Sequence, residues 1–482
     1  MVRSFIAGFR HATYYKNMLG FTNQLFQAGG DKAFTGLNLF DLDWDNIRQG
    51  QEWAVRNFSE ATARKLCSSY PNAGALVLNI RLNPSERIFW LENGIAGAKA
   101  IHERYIEGCH LGNMGLAYDS MGEFKRAIDC FEQALSIDKE VGNLAGEGAQ
   151  LGNLGIAYSH IGQFQRALEY HQRSLQIVRK AGNKQSEAQA LGNLGDIHNN
   201  LGLFIEAIGY YQQALGIFAE LGNIMGEANV LGGLGLANAN QGLIQKAIPY
   251  YLGQLSRCRE IGDRQSESIA IGNLGAAYAE AGQLEEAMEC VTQALSLDRL
   301  LGDQKGECSD LGNLGVLHTR LGQFQQALTC FENQILIARE IEDQENESNS
   351  LGNIGNLYLR EKEFKRAIRY YKQAIKLDRK MGNRRGEGID LGNLGSAYAA
   401  LGEFAPALKY YDRQLHIARA NNDLAGIGSA LWNSSLIAAQ AGEVESAIKQ
   451  AKEALAIYDE IQNPLADHVR RYLNQWQISN DI

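Results

Sequence analysis

An asparagine returns at a forty-residue interval along this chain, as Asn113, Asn153, Asn193, Asn273, Asn313, Asn353, Asn393 and Asn433. A primary amide both donates and accepts, so a row of amides can hold the backbone of an extended peptide without reading its side chains. The same row can also bond to neighbouring helices and set their packing, and the sequence leaves these two roles open. Arg320 and Arg360 stand forty residues apart as well. Guanidinium groups at that interval suit an acidic residue or a C-terminal carboxylate in a partner, through charge-assisted hydrogen bonds; the bland alternative is a pair of solvated helix ends. Ser159, His160, Asp196, Asn199, Asn200 and Asn240 are the other polar side chains at varying positions of the pattern.

Catalysis has no comparable set of residues. The nine histidines are scattered, with His198 and His318 in place of a recurrent Tyr and His171 in place of a recurrent aromatic, which points to packing. No P-loop, HExxH, paired CxxC or nucleophile elbow occurs, and "GGLGLAN" at 232–238 lacks the last glycine of a dinucleotide fingerprint. The chain is therefore expected not to be an enzyme and to need no metal or cofactor. The seven cysteines never form CxxC and read as small thiols of a reducing compartment. With 46 basic against 55 acidic residues the net charge is −9, so nucleic acid is not an expected partner. Arg, His and Lys interrupt the first twenty residues, leaving no signal-peptide core, and no apolar run is long enough to span a bilayer. A cytoplasmic location and no membrane partner are expected.

What must position the amides is a repeat. Blocks beginning at 111, 151, 191, 231, 271, 311, 351, 391 and 431 are all forty residues long. Their apolar residues recur at steps of three and four, as in Leu151, Leu154, Tyr158 and Ile161 and then Phe164, Ala167, Leu168, His171, Leu175 and Val178. Each block is thus two helices. Gly162 separates them, Gly182 suits a helix end needing positive φ, and Asn183 can cap the next helix. The recurrent Glu at 107, 147, 187, 227, 267, 307, 347 and 387 falls in a first turn, where its charge suits the helix dipole. Gly115 and its counterparts lie inside the first helix, at a cost of roughly 0.5–1 kcal/mol each, which implies that another backbone lies close by. Ala127 and its counterparts, on the second helix, mark the facing position.

This pattern, with Leu-Gly in the first helix, Tyr118, Tyr158, Tyr278, Tyr358 or Tyr398 three residues after the second Gly, and an aromatic shortly before the small Ala, resembles the tetratricopeptide repeat. The forty-residue form "EGxxLGNLGxAYxxLGxFxxAxxYxxQxLxIAxExGD" is similar to that of the LGN/Pins polarity adaptors. The resemblance implies an all-α fold, a right-handed superhelical solenoid of helix hairpins, with the repeats over 104–470, an N-terminal helical segment over 1–103, and 471–482 as the C-terminal end of a capping helix. It also implies an inner, concave wall built from the first helices, at the position before each Leu-Gly and those two, five and six residues after the Leu. The asparagines occupy the second of these positions, where the family makes carboxylate clamps and peptide-backbone contacts. The tail shows no G-protein regulatory motif, so Gα binding is not implied.

In the N-terminal segment, 9–26, 42–58 and 59–70 read as helices and "GGDKAFTGLN" at 29–38 as a loop. The pattern "RHATYY … LDWDNIRQGQEWA … RLNPSERIFWLENGI" resembles the helical linker before the sensor repeats of STAND (NB-ARC/MalT-like) ATPases, without their P-loop. The expected function is a non-enzymatic protein-interaction module, an adaptor or scaffold that binds a peptide or extended partner segment in its groove. A stand-alone sensor of a STAND-like signalling or defence system acting on a separate effector is the second expectation, and self-association the third. Block four is irregular: Gly233 replaces Asn, Asn238 replaces Tyr and Pro249 lies within the second helix, so a kink and a hinge are expected between 231 and 260.

Overall fold

The computed structural model describes residues 2–28 and 30–480 and is all-α, a solenoid of helix hairpins, as the sequence implies. An N-terminal group comprises α1 (Val2–Gln27), α2 (Gly30–Arg56), α3 (Ala61–Ala73), α4 (Ala75–Arg81) and α5 (Pro84–Ala100). The hairpins follow: α6 (Arg104–Ser120) with α7 (Phe124–Val141), α8 (Leu144–His160) with α9 (Phe164–Lys180), α10 (Lys184–Asn200) with α11 (Phe204–Leu221), and α12 (Ile224–Asn240) with α13 (Ile244–Ile261). After these come α14 (Arg264–Glu280) with α15 (Leu284–Leu301), α16 (Gln304–Arg320) with α17 (Phe324–Glu340), and α18 (Gln344–Arg360) with α19 (Phe364–Met381). The last are α20 (Arg384–Ala400) with α21 (Phe404–Ala420), α22 (Leu424–Gln440) with α23 (Val444–Glu460), and a final α24 (Leu465–Asn480). The chain divides into two compact units, 1–257 and 258–482.

The expected loop over 29–38 is helical: Gly30–Arg56 is continuous, and Gly29 lies outside the described residues. Gly36 is there for close approach, since a Cβ on it would sit 2.7 Å from the Thr22 carbonyl oxygen of α1. Glycine read as a turn signal was in this case a helix-crossing residue. The group buries Leu19, Phe40, Ile47, Tyr70 and Trp90, with Trp44 stacked on Trp90 at 5.7 Å. Pro249 does not end α13, which runs unbroken from Ile244 to Ile261.

Local signals explain the hairpins. Asn143, Asn183, Asn223, Asp263, Asp303, Asp343, Asn383 and Asp423 each accept a hydrogen bond from the N–H three residues on, capping every first helix from α8 to α22. Asparagine and aspartate do this about equally well, and the chain uses four of each. The first-turn glutamates do more than suit a dipole. Glu187, Glu267, Glu307, Glu347 and Glu387 accept from Arg179, Arg259, Arg299, Arg339 and Arg379 of the preceding second helix, at 2.6–2.8 Å. These arginines recur at a constant eight-residue offset, and each ties one hairpin to the next.

Hairpin packing has a different basis from the one expected. Where a backbone was predicted against Gly115 and its counterparts, the structure has a ring or a branched side chain. A methyl at Gly355 would come within 2.5 Å of the Tyr371 ring, and the same holds for Gly115 with Phe131, Gly155 with His171, Gly195 with Tyr211, Gly315 with Phe331 and, at 2.6 Å, Gly395 with Tyr411. Ala127, Ala167, Ala207, Ala247, Ala287, Ala327, Ala367, Ala407 and Ala447 are fully buried. His171 is a packing residue, as read, and burial pushes its imidazole down to about 4.

Candidate functional site

Within each unit the first helices of successive hairpins touch one another, α6 through α12 in one and α14 through α22 in the other. They form a layer whose open side carries the recurrent asparagines. In the second unit Asn313, Asn353 and Asn393 line one open cavity of about 420 Å³ across α16, α18 and α20. Asn393 and Asn433 line the next, of about 290 Å³, across α20 and α22. In the first unit Asn193 lines a cavity of about 350 Å³ between α10 and α12.

Asn113, Asn153, Asn193, Asn273, Asn353, Asn393 and Asn433 are half-buried and Asn313 is exposed. Among the described residues, their amides make no hydrogen bond to another helix; the one side-chain partner is local, Asp390 for Asn393. An interhelical packing role would require such bonds. The missing member of the row also has a cause: a Cβ on Gly233 would lie 2.7 Å from the Tyr211 ring, which fills the place an asparagine would need.

The wall is not made of all the positions expected. Five residues after the Leu, Asp196, Val316, Asn356 and Ser396 do line cavities. Six residues after it, Ala117, Ala157, Ile197, Ala237, Ala277, Leu317, Leu357 and Ala397 are core residues, none more than 4% exposed. The wall instead includes a position two before the Leu, with Ser309, Asn349 and Ile389, one helical turn from the asparagines.

Arg320, Arg360 and Asn200 lie elsewhere, on the last turn of their helices and seven residues from the asparagines, about 10 Å along the axis. Asn200 is exposed. Arg320 Nη1 donates to the Ala279 carbonyl at 2.7 Å and Arg360 Nη1 to the Thr319 carbonyl at 2.9 Å, each in the hairpin before. Asn240 Nδ2 reaches Asn199 Oδ1 at 3.2 Å, and His160 Nδ1 meets Asp119 Oδ1 at 3.2 Å. All four span forty-one residues, so this position is a row of struts between repeats. The two arginines are exposed at helix ends, each bonded to a carbonyl of the preceding hairpin, and do not line the amide-lined cavities.

Beneath the amide row runs a rung that the forty-residue pattern hides. The first glycine of each "LGNLG" pattern, directly after the opening Leu, is covered either by a side chain from its own second helix or by one from the next first helix, in alternation. Gln254, Gln334 and Gln414 cover Gly232, Gly312 and Gly392 from the second helices, and the matching residues of the next first helix are the small Ala270, Ser350 and Ala430. Asp310 and Asp390 cover Gly272 and Gly352 from the next first helix, and there the second helix offers only Ala294 and Ala374. The true period of this layer is eighty residues. That alternation is present in the sequence, and aligning blocks two by two exposes it.

The rung is polar and incompletely satisfied. Ser350 Oγ donates to Gln334 Oε1 at 2.7 Å, but Oε1 of Gln150, Gln254 and Gln414 and Oδ2 of Asp310 have no donor. Burial pushes the Asp310 and Asp390 carboxyls up to about 7, helped by the nearby carboxylates of Asp298 and Asp378 respectively. Among the described residues there is no group of three His, Cys, Asp or Glu that could hold a metal ion, and no helix long and apolar enough to cross a membrane.

Tetratricopeptide repeat models match residues 110–140, 148–220, 226–299, 308–380 and 391–425, together more than half of the chain. A comparison with curated proteins gives no match. Among solved structures, the apo form of the quorum sensor NprR from B. thuringiensis is similar at 16% identity and a TM-score of 0.52, over 70% of this chain and 98% of that one. A Rap protein complexed with Competence and Sporulation Factor is similar at 14% identity and a TM-score of 0.51, over 71% and 98%. A STAND protein with a tetratricopeptide repeat sensor from Pyrococcus horikoshii aligns with 95% of this chain and 65% of its own at 12% identity, with a TM-score of 0.48.

Proposed function

Since the chain belongs to the tetratricopeptide repeat family, we propose that it is a non-enzymatic protein-interaction module that holds an extended segment of a partner along the first-helix wall, as an adaptor or scaffold. The observation that carries this reading is the state of the asparagines. They line successive cavities and, but for the local contact of Asn393 with Asp390, their amides are not used by the fold. Amides that face a cavity and make no bond to another helix are suited to bond a peptide backbone, two groups to each. The run Asn273, Asn313, Asn353, Asn393 and Asn433 is uninterrupted, so the second unit is the better site.

The test is capture of partners from the source lysate by wild type and by an Asn313→Ala, Asn353→Ala variant whose melting curve is unchanged. A protein held by wild type and lost by the variant is the expected result. An identical set from both would assign the asparagines to packing and end this reading. The sensor alternative draws on the N-terminal group, where Phe34 and Leu42 on α2 are 71% and 79% exposed and offer an apolar surface to an effector. A captured partner carrying a nucleotidase or protease domain, retained by residues 1–103, would favour it.

A further inference from the structure

The floor of the groove in the second unit has a chemical sign. Asp390 lines the cavity across α16, α18 and α20, yet is only 7% exposed. Its Oδ1 lies over Gly352, 3.0 Å from where a Cβ would be, so the missing side chain makes its place. Asp378 lines the same cavity from α19, and its carboxylate is occupied, accepting from Ser348 Oγ at 3.0 Å and Asn383 Nδ2 at 3.1 Å. No Lys or Arg lines this cavity.

The adjoining cavity, which shares Ile389 and Asn393 with the first, supplies an independent sign. Gln414 lines it, is 7% exposed, and leaves Oε1 without a donor. A buried carbonyl oxygen left unpaired costs free energy that an incoming N–H would recover. The other charged groups nearby are accounted for. The Asp423 carboxylate caps α22 through Gly426 N–H at 3.0 Å. Glu387 is held by Arg379, Arg384 and Arg413. Arg385 lines the second cavity, is exposed, and makes no ion pair with Asp390. The Asp390 carboxylate accepts locally from the Asn393 amide, and the buried side-chain atom that lacks a partner here, Gln414 Oε1, is likewise an acceptor.

We propose that this groove takes a basic side chain, an arginine or lysine of the bound segment, with Asp390 as its counter-charge and Gln414 Oε1 as a further acceptor for the segment's N–H groups. The inference rests on the groove reading above and adds the chemistry of the partner, which is the reverse of the acidic partner that Arg320 and Arg360 suggested. The amide row supplies the grip on the backbone; Asp390 supplies the choice. Because burial pushes the Asp390 carboxyl up to about 7 in the empty groove, an arriving cation draws it to the ionised form and a proton leaves to solvent. Binding of the basic group is therefore stronger at pH 8 than at pH 6.

The probes are three end-capped dodecapeptides of alternating Ser and Ala, carrying a central Arg, Gln or Glu, titrated by calorimetry into the full chain at pH 6 and pH 8. At pH 8 the Arg peptide is expected to bind about tenfold tighter than the Gln peptide, as a charge-assisted contact allows. At pH 6, where most of the Asp390 carboxyl still holds its proton, its heat should vary with the buffer's ionisation enthalpy, reporting the released proton, and at pH 8 that variation should nearly vanish. Asp390→Asn should erase the Arg preference, bringing the Arg and Gln peptides to equal affinity; Asp390→Ser serves if the first variant melts abnormally. Equal binding of Arg and Gln peptides, lost in Asn353→Ala, would overturn this inference and leave the groove reading intact. Tightest binding of the Glu peptide would overturn it in favour of Arg385, and no binding of any peptide would sink both readings.

Discussion

The pocket around Gly192 in the first unit and the one around Gly352 in the second are built at the same repeat positions with the acid at different depths. In the first, Asp196 is exposed at the wall and accepts from Tyr211 Oη at 2.6 Å, while Val230 covers Gly192 below. In the second, the wall residue is Asn356, which accepts from Tyr371 Oη at 2.8 Å, and the acid is Asp390, buried over Gly352. Backbone and tyrosine recur at the two places within one chain, while the location of the charge differs. Desolvation raises both carboxyls, but the hydrogen bond from Tyr211 Oη offsets part of it at Asp196, whereas the carboxylate of Asp378 adds to it at Asp390, which resists ionisation until a counter-charge arrives. The first unit also loses its amide at Gly233 to the Tyr211 ring. The two pockets therefore differ in what they can select while sharing how they are framed.

Exchanging the covers should break that difference most strongly. Val230→Asp places a carboxylate over Gly192, where Val230 is 4% exposed, and is expected to cost about 2–4 kcal/mol at pH 8. At pH 5 the cost should be smaller, because the buried acid can keep its proton. The converse Asp390→Val should stabilise the second unit at pH 8. Urea melts of both variants at the two pH values check this, and a Val230→Asp cost independent of pH would mean that the site admits water and that the depth argument is wrong.

Wild-type pH dependence comes next in size. The Asp310 and Asp390 carboxyls sit near 7 in the fold and near 4 in an unfolded chain. Between those values the folded state binds the extra proton, so their contribution to stability is full below about pH 4 and is lost as pH rises through about 7. Glu187 and Glu267, held low by their Lys and Arg partners, act in the opposite direction over the acid range. The informative quantity is thus the difference between wild type and an Asp310→Asn, Asp390→Asn variant. That variant should gain on the order of 1–3 kcal/mol on wild type between pH 5 and pH 8. Parallel curves would show that these carboxyls are hydrated in the fold.

Much of this was legible in the sequence, and the reasons differ by layer. Helix number and caps in the repeats follow from apolar steps of three and four and from Asn or Asp after Gly, all local signals. The N-terminal group was harder, because Gly36 does not announce whether it turns the chain or admits a neighbouring helix. "RLNPSERIF" did carry a start signal for α5: Pro84 at the first helical turn, and Asn83 accepting from Glu86 N–H at 2.9 Å. The asparagine row was visible by recurrence, but the position six residues after the Leu was misplaced on the wall because its Ala and Leu residues are as compatible with a wall as with a core. Arg320 and Arg360 were read as ligand groups for want of their acceptors. Backbone carbonyls forty-one residues away have no sequence signature. Asp390 stands just before Leu391, a position the resemblance did place on the wall, and it lines the cavity there; what stayed hidden was its acid, because averaging over nine blocks dilutes a feature that occurs in every second one.

Glycine replacement sharpens the same comparison at lower amplitude. A methyl at Gly192 would lie 3.9 Å from Val230, an ordinary contact, whereas one at Gly352 would meet Asp390 Oδ1 at 3.0 Å. Gly192→Ala should therefore gain up to about 1 kcal/mol from helix propensity. Gly352→Ala should gain less or lose, since the carboxylate must move. Equal gains at both would mean that Asp390 is free to swing away and is not fixed over its glycine.

The smallest effect concerns the struts. Arg320→Glu with Arg360→Glu removes two hydrogen bonds to exposed carbonyls at helix ends, each worth about 0.5–1 kcal/mol at most in such a setting. Helical content should be unchanged and the melt only slightly lowered. The reading of the pockets adds a second expectation: because the arginines stand two turns from Asn313 and Asn353, the double variant should bind a partner held by the amide row nearly as well as wild type does. If it instead loses that partner while Asn313→Ala, Asn353→Ala keeps it, the ligand lies along the helix ends, and the strut row, with Asn200, is the recognition surface.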